Sequence, residues 1–102
     1  MRPPARLMFP VHLIDNAATR LRAQLRWIRR QCERGRLTKA EARDRGEAAI
    51  SQSYEELTTR FNRYIERRGL QFGVTGVETE LQHAKTNAIN RWRNVVDDLP
   101  GA

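Results

Sequence analysis

Residues 14–36, IDNAATRLRAQLRWIRRQCERGR, place apolar side chains at Ile14, Ala18, Leu21, Leu25, Ile28 and Cys32, a spacing of 4, 3, 4, 3 and 4. At 100° per residue these positions fall within about 40° either side of one line, the narrow seam of a helix packed on other helices. Asp15 and Asn16 are acceptors near the helix start, and Gly35 follows the last turn as a candidate C-cap.

The same reading finds two further helices. Thr38-Lys39-Ala40-Glu41 has the spelling of a capping box, so a second helix is expected after a connection of about three residues. Its seam is Ile50, Tyr54, Leu57, Phe61 and Tyr64 or Ile65, and Gly69 with Leu70 is placed for a Schellman ending. Gly46 interrupts this segment, and Ser53-x-x-Glu56 offers a second cap, so a kink or break near Gly46 is expected. Thr75-x-x-Glu78 announces a third helix with Val77, Leu81, Ala84, Ala88, Trp92, Val95 and Leu99 on its seam, ended by Pro100. No strand pattern competes. The predicted fold is all-α, an antiparallel three-helix bundle that becomes four-helical if the second helix breaks. The bundle spans residues 11–102, and residues 1–10, with three of the four prolines, form an extended N-terminal arm. At 102 residues the chain supports one modest core.

The net charge is +7, and all of it is in residues 1–36, where nine arginines face only Asp15 and Glu33. Residues 37–102 hold ten basic and ten acidic side chains. A field of one sign so localised attracts polyanions. GC-rich coding could account for 17 arginines against two lysines, but it would not leave the other two thirds balanced.

Chemical motifs are few. Gly73-Val74-Thr75-Gly76 has the G-x-x-G spelling of a nucleic-acid clamp, but that clamp belongs to a fold with strands, so a loop leading into a cap is the better reading. It also lacks the lysine of a phosphate-binding P-loop. His12 and His83 are far apart without a partner at ligand spacing, so neither metal nor cofactor is expected. Glu55/Glu56 and Asp97/Asp98 lack the histidine partners of a bundle metal site. Cys32 lies on the first seam as a small buried hydrophobe, with no base to activate it. The chain is therefore read as non-enzymatic, with no small-molecule substrate.

Two features point to binding. Arg20, Arg22, Arg26, Arg29, Arg30, Arg34 and Arg36 spread around the first helix off its seam, with Glu33 alone to neutralise them. Arginine presents a planar fork that matches phosphate and stays charged, so this surface suits a nucleic-acid backbone, DNA or RNA. Trp27 lies among Arg20, Arg30 and Arg34, where an indole is a stacking platform or a protein anchor unless the tail or another helix covers it. Arg60, Arg63 and Arg67 form a second stripe, with Glu56 four residues before Arg60 to offset part of it.

The sequence thus predicts an accessory or architectural subunit that contacts phosphates within a larger nucleoprotein assembly, viral or phage-like particles included, with other protein subunits as partners. The alternative is a helical interaction or oligomerisation module that docks on an acidic protein. No apolar run approaches a membrane span, and MRPPARLMFP is not a secretory signal, so an intracellular chain or one packaged inside a cell is expected.

Overall fold

The computed structural model describes the backbone of residues 11–68 and 74–100 and the side chains of residues 16–67 and 78–100. Among these residues are three helices and no strand: α1 (Val11–Glu33), α2 (Lys39–Arg68) and α3 (Val74–Asp97). The helices form the antiparallel three-helix bundle expected from the seams. α1 and α3 each pack along α2 and scarcely meet one another. The molecule measures 58 × 21 × 20 Å, drawn out because the 30 residues of α2 alone span roughly 45 Å at a helical rise.

α1 starts at Val11, three residues ahead of the seam, because Val11, His12 and Leu13 include no residue that stops a helix from propagating. Asp15 and Asn16 consequently sit in the second turn rather than beside the free N–H groups. The other end of α1 is a Schellman motif. Gly35 adopts φ 75°, its N–H donates to the Cys32 carbonyl at 3.0 Å, and the Arg36 N–H donates to the Gln31 carbonyl at 2.9 Å. Arg36 therefore lies beyond the helix, in a connection of residues 34–38.

The capping box at the start of α2 forms as read. The Glu41 N–H donates to the Thr38 hydroxyl and the Thr38 N–H donates to the Glu41 carboxylate, each at 3.1 Å. The backbone N–H of Thr38 holds the Glu41 carboxyl below its usual value, with the Thr38 side chain adding to the effect. At the start of α3, Thr75 falls inside the first turn, because the helix begins at Val74. The side chains of residues 74–77, the 1–10 arm, the ending at Gly69 and Leu70, and Gly73 of the G-x-x-G stretch lie outside the described residues.

α2 runs unbroken through Gly46, against the expectation of a break, and the second cap at Ser53 is not used. The reason is packing. A Cβ at Gly46 would lie 1.9 Å from Nε1 and 2.1 Å from Cε2 of Trp92. The missing side chain lets the indole lie directly on the α2 backbone, where its N–H donates to the Ala42 carbonyl at 3.1 Å. Gly46 is a notch for Trp92 rather than a helix breaker.

Around that notch the three helices share a core of Ile28 and Cys32 from α1, Ala42 and Ile50 from α2, and Trp92, Val96 and the following Leu99 from the α3 side. Burying each large apolar side chain there contributes about 1.5–3 kcal/mol. Leu57, Phe61 and Ile65 continue the buried line towards the other end of α2, with Ile65 rather than the half-buried Tyr64 in the seam. Two seams are rotated from the sequence reading. On α1 the buried side includes Ala17, while Ala18 and Leu25 are half-exposed. On α3 Val96 is buried, while Ala84, Ala88 and Val95 are half-exposed. Each outer helix turns its seam partly onto α2 and partly into the space between α1 and α3.

Candidate nucleic-acid interface

The fold decides which arginines have partners. Between α2 and α3 the charges pair across the boundary: Arg43 donates to Asp97 at 3.0 Å, and Arg93 donates to Glu47. The hydrogen bond from Arg93 to the Glu47 carboxylate, reinforced by its charge, raises the guanidinium above its usual value. The Lys39 ammonium adds a 3.1 Å bond to the Asp97 carbonyl, supplying positive charge to an α3 terminus that has no basic residue in its own last turn.

The arginines of α1 differ. Arg29 donates to Glu33 at 2.9 Å, one turn along the helix. Among the described residues Arg22 reaches only the Ala18 carbonyl, at 3.4 Å. Among the described residues, Arg20, Arg26, Arg30, Arg34 and Arg36 are exposed and form no ion pair. At 100° per residue Arg20, Arg26, Arg30 and Arg34 cover roughly a third of the circumference of α1, and Arg20 to Arg34 spans roughly 21 Å along it.

Trp27 is 50% exposed, which makes it the exposed large hydrophobic residue among those described. Burial of such a ring would be strongly favourable, so its outward position beside Arg20, Arg30 and Arg34 leaves a flat apolar face in a cationic surround. Trp92, on the core seam, is 5% exposed. The chain's two tryptophans therefore serve opposite ends, one packing the bundle and one facing out.

α2 adds to this side of the molecule. Arg63 and Arg67 are exposed and Arg60 is half-buried. By helical register all three lie on the side of α2 that carries Ala49 and Glu56, the side towards α1. Glu56 makes no ion pair with Arg60 among the described residues. Arg20, Gln24, Gln52 and Glu56 line a small polar groove of about 120 Å³ between α1 and α2. The two glutamines extend the hydrogen-bonding capacity next to the arginines. They escape notice in the sequence because each is an ordinary polar residue on its own helix.

Among the described residues, Cys32 is a buried free thiol, no group of three or more His, Cys, Asp or Glu residues is placed to hold a metal ion, and no helix is long and apolar enough to cross a membrane. Comparison with protein-family models, curated proteins and solved structures finds no match to this chain.

Proposed function

We propose that the chain binds nucleic acid through the phosphate backbone, using the arginine surface of α1, with little base specificity and no catalysis. The observation that carries this reading is that, among the described residues, Arg20, Arg22, Arg26, Arg30, Arg34 and Arg36 are exposed without an ion-pair partner, in a chain whose residues 37–102 are formally balanced. Six such guanidiniums, at positions 20, 22, 26, 30, 34 and 36, can each displace a counterion from a phosphate. Arg63 and Arg67 supply secondary contacts. Trp27 offers a face on which an unpaired base stacks, so single strands gain an interaction that a duplex withholds. A chain of this size with such a surface acts as an accessory or architectural subunit of a larger nucleoprotein assembly, DNA or RNA, in company with other protein subunits.

The test is equilibrium binding of single- and double-stranded DNA and RNA oligonucleotides at about 50 and 200 mM salt. Six phosphate contacts predict about a thousandfold loss of affinity over that range. Trp27→Ala is expected to weaken single-strand binding by about 1–3 kcal/mol while sparing the duplex. Absent binding, or binding insensitive to salt, would overturn the proposal.

A further inference from the structure

The space between α1 and α3 is a second surface, which shares Arg22 alone with the arginine face. Because the two outer helices each pack on α2 but hardly on one another, they leave an open cleft of about 630 Å³. Leu57 of α2 forms part of its floor, Leu21 and Leu25 of α1 one wall, and Ala84, Ala88 and Val95 of α3 the other. The α3 wall runs from Leu81 to Val95, roughly 21 Å or four helical turns. Its alanines would let a helix axis approach closely. We propose that this cleft seats an amphipathic helix of a different protein, one whose apolar stripe is flanked by carboxylates, completing a four-helix bundle.

Two observations select that occupant. The cleft is half open to solvent, whereas a small molecule is held by a pocket that encloses most of its surface. Its lips carry Arg22 on α1 and Arg91 on α3, both exposed and neither in an ion pair among the described residues. Cations on both lips favour a helix with acidic residues beside its apolar stripe. They disfavour a second copy, which would bring its own net charge of +7 to the site.

The probe is a fluorescein-labelled 21-residue peptide with leucine at the a and d positions of three heptads and glutamate at e and g, titrated with the full chain at physiological salt and followed by anisotropy. A matched peptide carries lysine in place of each glutamate. The glutamate peptide is expected to bind at least about tenfold more tightly. The order should invert in the double variant Arg22→Glu/Arg91→Glu, whose exposed positions leave the core intact, with circular dichroism confirming the fold. Arg30→Glu/Arg34→Glu, which changes the total charge equally on the far side of α1, should leave peptide affinity within about twofold. Failure of the glutamate peptide to bind, equal binding of both peptides, or equal effects of the two double variants would each overturn the proposal. So would peptide binding that appears only after residues 1–10 are removed, which would make that segment the occupant, or a chain dimer in sedimentation that the peptide does not dissociate.

Discussion

Arg43 and Arg93 reach across the α2–α3 boundary to Asp97 and Glu47, whereas Arg20, Arg26, Arg30 and Arg34 on α1 reach no carboxylate among the described residues. The side chain is the same and the exposure is similar, so the difference lies in what the fold brings opposite. On the α2–α3 side antiparallel packing sets basic and acidic positions level with each other. The partners found on α1 come from the helix itself, a backbone carbonyl for Arg22 and a glutamate for Arg29, each one turn away. Positive charge on one side of the molecule is spent within the fold, and on the other it remains for a ligand.

The strongest way to break this contrast is to dismantle the paired side. Trp92→Ala is expected to cost about 3–5 kcal/mol in chemical denaturation, since it empties the centre of the shared core. Unchanged stability would mean that the indole does not organise the α2–α3 contact. Gly46→Ala comes next, and its sign is informative. In an open helix this change stabilises by up to about 1 kcal/mol, but here the new methyl meets a buried ring at 1.9 Å. The expected outcome is a net loss of about 1–3 kcal/mol from overpacking, and a gain in stability would refute the notch.

The unpaired side should respond in the opposite sense. Arg30→Ala/Arg34→Ala is expected to leave the unfolding midpoint nearly unchanged while lowering the slope of log affinity against log salt by about 2. A fall in stability without a change in slope would place these arginines with the structural ones. Arg43→Ala is the converse, costing no more than about 1 kcal/mol, diminishing at high salt, with nucleic-acid affinity unaltered.

The smallest effect concerns the capping box. Glu41 is held below its usual value by the Thr38 N–H, so its stabilising contribution is present above the ordinary glutamate range and is lost as pH falls through the lowered folded value. Glu41→Gln removes the charge, and the difference in melting temperature between the two chains should therefore close on acidification. A difference that persists unchanged into acid would contradict this origin.

The sequence carried the helices, the Thr38 cap, the Gly35 ending and the off-seam position of Trp27, though not its exposure, because each is a local pattern set by spacing or by one residue's conformational preference. What it concealed was relational. Gly46 reads as a breaker until Trp92, distant in the chain, is found against it. The seams of α1 and α3 look like single stripes, yet each divides between α2 and the cleft, so Ala17 and Val96 are buried where Ala18 and Val95 are not. Arg43 and Arg93 cannot be told from Arg30 by composition, since their partners lie on another helix. The cleft was hidden for the same reason: an apolar residue at seam spacing looks like core whether or not a neighbour arrives to cover it.

Cys32 has a practical consequence of a different kind. It is the chain's one thiol, 5% exposed in the cluster to which all three helices contribute. A thiol reagent reaches it only when that cluster parts, so the rate of alkylation in native buffer becomes a clock for opening of the bundle. If reclosure outruns the reagent, the rate reports the equilibrium between closed and open forms; if it does not, the rate reports opening itself. The molecule thus carries a built-in timer within its shared core, away from the guanidinium surface of α1.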